Sequence, residues 1–373
     1  MDIKYIFRYL LKLRTKYTYL RQYKTLLKLN QIPNKAIEGE CQWVDKWSTI
    51  GKPNPVYYRL FSQYIGNNLN IVPEDICRNV IEPILSPLMY VPYYSDKNMF
   101  DKLFGSGVLP ESILRKMNGF YYGANYDRII LFDNGTLQDI LSRIKVSRIV
   151  IKPTVNSCSG NGVRLFHNIN GVWEDMNSHE VLTLEYLDNY YDFDFIIQEC
   201  LEQADWMAYY NSTSVNTLRL SLYRSVKTDE FHVTGAIIRI GKNGALVDNA
   251  HAGGGYCGIH PDGTLCNRVL DQYGVVVTKF NGIDFTLPHK IPNWDTIVEF
   301  AKKIGESIPH HRLLALDIMV DKFGDPRLIE FNCEGYSMWL FQFTIGPAFN
   351  SFTDEIIEYC KNHMDKSYKV IKF

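Results

Sequence analysis

The sequence predicts an α+β protein in which short, mostly antiparallel strands and a few helices form the body, behind a helical and irregular N-terminal extension. Three patterns predict it. From Arg148 onward, runs rich in β-branched residues recur as strands do: RIVIKP, VRLF, DFIIQECL, TLRLSLYR and VTGAIIRIG. A helical stretch from about Trp294 to Ser307 separates them from a last pair of strands, LLALDIMVD and PRLIEFN. Ahead of these, residues 1–30 carry Ile, Leu, Tyr and Phe at roughly helical spacing.

With 373 residues the chain can form two or three subdomains around sizeable cores, and a hydrophobic content of 46% fits a globular enzyme. Lys and Arg number 40 against 41 Asp and Glu, a formal charge of -1. No global field therefore draws the chain to nucleic acid, and any anion site must be local. The eight cysteines (Cys41, Cys77, Cys158, Cys200, Cys257, Cys266, Cys333 and Cys360) show no C-x-x-C pair and no metal-ligand spacing, which points to a reducing compartment. The chain has no run of about 18 apolar residues to span a bilayer, and its N-terminus lacks the pattern of a signal peptide. The expectation is a cytoplasmic protein.

In the N-terminal helix, Lys4, Arg8, Lys12, Arg14, Lys16, Arg21, Lys24 and Lys28 are opposed by Asp2 alone. Such a basic amphipathic helix either touches a membrane surface or another anionic partner, or presents a solvated face while packing on the body. Weak peripheral contact with the inner face of a membrane through residues 1–30 therefore stays open. Scattered prolines, Pro33, Pro53, Pro55 and Pro73, predict a loop-rich, irregular stretch up to a boundary near residue 90. Asp96 is a candidate N-cap for a helix through Lys97, Phe100, Lys102 and Leu103, stopped by Gly105 and Gly107. A final helix is expected from about Thr353.

The most informative segment is Leu313 to Asn332, two apolar strands joined by Lys322-Phe323-Gly324-Asp325. If the turn centres between Phe323 and Gly324, Asp317 lies opposite Glu330, and Asn332 follows on the same face by the two-residue strand period. Leu316, Ile318, Ile329 and Phe331 then point to a core. Two opposed carboxylates repel unless a cation sits with them. Mg²⁺ takes such hard oxygen ligands, and an asparagine carbonyl completes the set without added charge. A solvated or Lys-paired acidic face is the alternative.

Upstream, Ile149-Val150-Ile151-Lys152-Pro153 is a strand ending in a lysine, followed by Asn156-Ser157-Cys158-Ser159-Gly160-Asn161-Gly162. Small residues let backbone N–H groups approach phosphate oxygens while the ammonium adds a point charge; a plain turn is the other reading. The strand Phe195–Leu201 ends in Glu202, Gln203 and Asp205, a polar end that offers groups to an adenine and a ribose or is an ordinary strand terminus. Arg219 and Arg239 lie within apolar strands and need anionic partners, either structural carboxylates or a transferring phosphoryl group. In Asp248-Asn249-Ala250-His251-Ala252-Gly253-Gly254-Gly255, three successive glycines imply special backbone angles or close approach, with substrate or phosphate access as one reason. His251 is open to either a substrate contact or a structural hydrogen bond.

Taken in order, Lys97 after Asp96, the IVIKP strand with its Ser/Gly loop, IIQECLEQ, NTLRL, VDNAHAGGG, and ALDIMVD followed by LIEFN resemble the ATP-grasp superfamily. SVNTLRL and DNAHAGGG look most like its sugar-transfer-associated branch, similar to proteins encoded with bacterial surface-polysaccharide genes. The resemblance implies an ATP-grasp fold, two α+β subdomains clasping ATP. It divides the chain into an extension (1–90), a pre-ATP-grasp region (91–147), a lid subdomain with phosphate loop and adenine hinge (148–210), and a C-terminal subdomain with the magnesium and substrate sites (211–373). It implies that Lys97 and Lys152 touch ATP phosphates, with the loop through Ser159, Gly160 and Gly162 closing over them. Glu199, Cys200 and Leu201 would form the adenine hinge, with Glu202, Gln203 and Asp205 competing for the ribose. Asp317, Glu330 and Asn332 would hold Mg²⁺, Arg219 would steady the transferred phosphoryl group, and Arg239 and Asn249 would lie near an acyl phosphate. His251, Gly253, Gly254 and Gly255 would line the substrate side.

The implied chemistry is γ-phosphoryl transfer to a small-molecule carboxylate, then attack by an amine, in an ADP-forming ligase that modifies a sugar or amino acid. A kinase of the same fold and a non-catalytic nucleotide-binding scaffold are the alternatives; the intact Lys152, Asp317, Glu330 and Asn332 argue against the scaffold. Cys158, Cys200 and Cys333 are read as small packing residues.

Overall fold

The computed structural model describes residues 3–155, 161–245, 248 and 253–368. The chain divides into two compact units, Tyr93–Tyr209 with Met319–Ile329, and Met1–Pro92 with Tyr210–Ile318 and Glu330–Phe373.

The first of these units is built on the strands β1 (Ser112–Met117), β2 (Phe120–Gly123), β3 (Arg148–Pro153), β4 (Arg164–Ile169), β5 (Val172–Asp175) and β6 (Phe195–Glu199). They form one sheet in the order β2-β1-β6-β3-β4-β5, with antiparallel neighbours throughout. The β-branched runs of the sequence account for β3 and β6, whose Ile149, Ile151, Phe195 and Ile197 are fully buried. Helices Asn134–Ser142 and Leu184–Tyr190 cover this core with Leu137, Leu141, Tyr186 and Leu187. Asp133 and Thr183 cap them by accepting from the N–H groups of Thr136 and Tyr186. Ahead of the sheet, Asp96 accepts from the Asn98 N–H at 3.0 Å as expected of a cap. The helix it starts is a 3₁₀ turn, Lys97–Met99, followed by a short α-helix, Phe100–Leu103.

The other unit carries the strands β7 (Thr217–Arg224), β8 (Phe231–Ile240), β9 (Gly255–Gly258), β10 (Val269–Leu270), β11 (Val276–Val277), a hairpin β12 (Lys279–Phe280) and β13 (Ile283–Asp284), and the parts of β14 (Leu313–Val320) and β15 (Pro326–Asn332) outside Met319–Ile329, which belongs to the first unit. The sheet order is β11-β10-β9-β8-β7-β14-β15. Helix Trp294–Glu306 lies where the sequence predicts it, and Gly305 leaves room there for the ring of Phe231.

The stretch expected to be irregular is largely helical. After α1 (Ile3–Leu29) come α2 (Glu40–Trp47) and α3 (Val56–Ile65), then short turns to Leu85. The prolines that suggested loops punctuate these helices: Pro55 sits at the N-cap of α3, and Pro73 precedes the turn at Glu74–Ile76. Tyr23 from α1 meets Tyr57 and Phe61 edge-on at 4.8 and 5.6 Å. The buried indoles of Trp43 and Trp47 donate to the carbonyls of Ile71 and Leu69.

The last hairpin departs from the expected register at its turn. Gly324 N–H donates to Asp321 O and Asp321 N–H to Asp325 O, both at 2.9 Å, so three residues rather than four form the loop. Gly324 takes a φ of +91°, which suits glycine and completes a type I turn with a bulge. Asp321 ties the turn further by accepting from the N–H groups of Phe323 and Asp325 and from Arg327 Nε. In β15 the buried side chains are Leu328 and Phe331, three apart, while Ile329 is only half-buried. The strict alternation assumed for that strand is not followed.

Candidate functional site

Arg219 on β7 and Asp317 on β14 are register partners, and Arg239 on β8 is the partner of Thr217. Three adjacent strands thus present their charges together. Arg219 holds Asp317 as a fork, Nε to Oδ1 at 2.8 Å and Nη2 to Oδ2 at 2.7 Å, and Arg239 Nη1 adds a contact to Oδ2 at 3.4 Å. Arg239 Nη2 also pairs with Asp248 Oδ1 at 3.1 Å, and the Thr217 hydroxyl donates to the other Asp248 oxygen. Burial works to raise the Asp317 carboxyl, but the two guanidinium groups outweigh it and hold the group below the usual carboxylate range. Burial likewise opposes the charge on Arg239; Asp248, Asp317 and Glu330 together push it above its ordinary value. Asp317 and Glu330 therefore act on one guanidinium, even though the turn alone would have set Asp317 against Ile329. Among the described residues the partners of Arg219 and Arg239 are the carboxylates of Asp317 and Asp248.

These residues fit a magnesium ion. Two carboxylates and an amide oxygen are hard donors of the kind Mg²⁺ takes. A carboxylate has about four lone-pair sites; on Asp317 guanidinium N–H groups occupy three of them. Asn332 Nδ2 is buried without a hydrogen-bond partner, a polar atom left over in the same strand as Glu330. Among the described residues no three His, Cys, Asp or Glu side chains group as a metal site; the Asn332 amide oxygen is the donor that the sequence adds to the two carboxylates.

In the other unit, the Lys97 N–H donates to Thr154 O at 3.0 Å, which brings the turn carrying Lys97 to the end of β3, two residues beyond Lys152. The strand-to-strand return after β3 closes at Gly162. Its φ is +75°, and a Cβ there would come within 2.7 Å of Pro153 Cγ, so the position requires glycine. Ser159 and Gly160 lie outside the described residues, as do Cys158, Asn249 and His251. At the end of β6, the N–H groups of Glu199 and Cys200 are engaged by Glu111 O and Arg148 O, and the Glu199 side chain accepts from Glu111 N–H. Glu202 pairs with Lys322 at 3.1 Å, Gln203 bridges to Asp321, and Asp205 is exposed at the start of a four-residue helix, Asp205–Ala208.

The family described as sugar-transfer-associated ATP-grasp matches residues 86–356, well over half of the chain. The chain belongs to that family. Its antiparallel sheets and helices form the ATP-grasp α+β fold, preceded by an N-terminal helical region. No curated protein matches this ATP-grasp chain. Solved structures similar to it include D-cycloserine synthetase DcsG, at 13% identity over 75% of this chain and 73% of that one, with a TM-score of 0.42. A second is the biotin carboxylase domain of the Hydrogenobacter thermophilus 2-oxoglutarate carboxylase with MgADP, ADP and bicarbonate, at 12% identity over 71% of this chain and 45% of that one, TM-score 0.40. A third is the ATP-grasp ligase PsnB with a phosphomimetic variant of its minimal precursor, Mg and ADP, at 11% identity over 74% and 61%, TM-score 0.40. The chain spans less than two thirds of the last two.

Within this ATP-grasp chain, two of the three successive glycines have packing reasons. Gly253 has a φ of +86°, and a Cβ on Gly255 would lie 2.5 Å from Val269 Cγ1. Sequence reasoning missed the parts Asp248 and Thr217 play in the arginine network, although Arg239 in an apolar strand had called for a nearby acid. It also missed Arg115, fully buried on β1. Arg115 donates to Asn98 O at 3.0 Å, pairs with Asp101 and lies over the Tyr126 ring at 4.4 Å, bolting down the turn that carries Lys97. The signal was a charged residue inside SILRKM. Burial lifts the thiols of Cys200 and Cys333, so neither is a thiolate near neutral pH.

Proposed function

We propose that the chain is an ATP-dependent carboxylate–amine ligase that works through an acyl phosphate, with small-molecule substrates of surface-polysaccharide assembly. The observation that carries this reading is the buried network in which Arg219 and Arg239 converge on Asp317 from neighbouring strands. Two cations fixed on a rigid sheet suit a phosphoryl transfer, which needs positioning and charge neutralisation more than covalent help from the protein. The raised thiols of Cys200 and Cys333 argue against a cysteine nucleophile.

In the proposed reaction, Lys97 and Lys152 neutralise the ATP phosphates, Glu199 to Leu201 receive the adenine, and Glu202, Gln203 or Asp205 takes the ribose. Magnesium held by Asp317, Glu330 and Asn332 would supply charge neutralisation on the phosphate oxygens. A substrate carboxylate oxygen attacks the γ-phosphorus as the bond to the bridging oxygen breaks, and ADP leaves with that electron pair. Arg219, loosening one arm of its fork on Asp317, steadies the transferred group. The amine then attacks the acyl carbon, the acyl C–O bond breaks, and inorganic phosphate leaves while the new amide nitrogen gives up a proton. Arg239 and Asn249 would serve the acyl phosphate, and His251 with Gly253 to Gly255 would serve the substrate. The family's association with sugar transfer supports a sugar acid, amino sugar or amino acid as the acceptor.

Hydroxylamine tests the chemistry, because it traps an acyl phosphate as a hydroxamate. With ATP, Mg²⁺ and a panel of sugar acids and amino acids, the expected result is hydroxamate formed in step with ADP. ADP release that leaves a stable phosphate ester and no hydroxamate would make the protein a kinase and overturn the ligase reading.

A further inference from the structure

Helix α1 has one side in the core of its unit and one in solvent. Tyr23 and Leu27 are each 2% exposed and Leu26 6%, with Tyr19 and Leu20 packed against the same core. At about 100° per residue, the opposite stripe runs through Ile6, Leu10 and Tyr17 and on to Arg21, Lys24 and Lys28. The three apolar members are 41%, 54% and 66% exposed, and the three bases are exposed as well. The outer face is therefore apolar toward its N-terminal half and cationic toward its C-terminal half. Along its whole length α1 has eight bases and no acid, in a chain whose formal charge is -1.

A second exposed apolar strip adjoins the end of this helix. Asn30 Nδ2 donates to Tyr273 O at 2.8 Å, which fixes the segment after Tyr273 beside Leu29. Leu29 is 56% exposed, Tyr273 and Val275 47% each, and Val276 45%. Large apolar side chains gathered in water mark a surface that docks on something. The charge accompanying them selects the occupant. Bases without acids, following aliphatic and aromatic side chains along one helical face, match an anionic lipid interface, where ammonium groups meet headgroup phosphates and apolar side chains enter the acyl boundary.

We propose that the outer face of α1, together with the Leu29–Tyr273–Val275 edge, docks the protein on an anionic bilayer, with the helix lying in the plane of the interface. No helix among the described residues is long and apolar enough to cross a membrane, so docking is peripheral. It stands apart from the ligase chemistry, and either can fail without the other.

Flotation of the full chain with phosphatidylcholine vesicles, with and without phosphatidylglycerol, tests it. The wild-type protein is expected to float with the anionic vesicles only and to be released by raised salt. Lys24→Ala with Lys28→Ala should weaken partitioning by about tenfold or more, at roughly a kcal/mol per base near such a surface. Ile6→Ser with Leu10→Ser should also weaken it severalfold. All four side chains are exposed, so an unchanged melting temperature will separate lost docking from lost folding. Failure to float with anionic vesicles, equal flotation with neutral ones, or flotation unchanged in either double variant would overturn the proposal. Self-association without flotation would assign the face to a second copy of the chain and overturn it too.

Discussion

Replacing Asp317 by Asn isolates the strongest electrostatic feature of the sheet. The Asp317 carboxylate is 4% exposed and accepts two bonds from the Arg219 fork and a third from Arg239. The amide keeps the shape but removes the charge, leaving Arg219 without its partner carboxylate while Arg239 retains Asp248 at 3.1 Å. Breaking a buried ion pair on one side typically costs about 3 to 5 kcal/mol, because the surviving charge is left uncompensated. That is a large share of the roughly 5 to 15 kcal/mol that holds a folded domain together. Urea unfolding followed by the fluorescence of the six tryptophans measures it. Adding Arg219→Met to Asp317→Asn removes the stranded charge, so the double variant should lose less than the two single losses combined, by about 1 to 3 kcal/mol. A single-variant loss below about 1 kcal/mol, or additive losses in the cycle, would refute the claim that a buried Asp317–Arg219 pair organises this site.

Two further outcomes follow from the same structure. Burial lifts the Asp75 carboxyl from 3.8 to about 6, against the charge of Lys16. The folded state then binds the proton more tightly than the unfolded chain, so stability falls as pH rises from about 4 to about 6, by about 3 kcal/mol, and stays lower above that. Asp75→Asn should therefore be more stable than wild type at about pH 8 and close to it at about pH 4 in urea unfolding; parallel pH profiles would contradict the assignment. Gly162→Ala forces a side chain into a left-handed backbone and against Pro153, and should cost about 1 to 3 kcal/mol. A melting temperature equal to wild type would mean that the return after β3 does not need its glycine.

Much of the fold could be read from the sequence because strands such as RIVIKP, DFIIQE and LLALDIMV combine β-branched composition with buried faces, and local composition is where that signal lies. The helix at Val56–Ile65 was hidden because Pro53 and Pro55 read as breakers, whereas proline at the start of a helix costs no hydrogen bond. The register of the last hairpin slipped by one at its turn, since a left-handed Gly324 and a four-residue loop are indistinguishable in the letters Lys-Phe-Gly-Asp. Arg219 and Arg239 were legible as charges needing partners. Their shared hold on Asp317, and the part of Asp248, depend on β7 lying between β8 and β14, a long-range pairing that no local pattern encodes.

Calorimetric titration of the intact protein with ATP, with and without Mg²⁺, bears most directly on the central claim, since it needs no knowledge of the acceptor. Mg²⁺-dependent ATP binding is expected, weakened at least about tenfold in Lys152→Ala and in Glu330→Gln, the loss of roughly one charge-assisted contact each. Folded wild-type protein that binds no ATP, or binding indifferent to Mg²⁺ and to both substitutions, would contradict it.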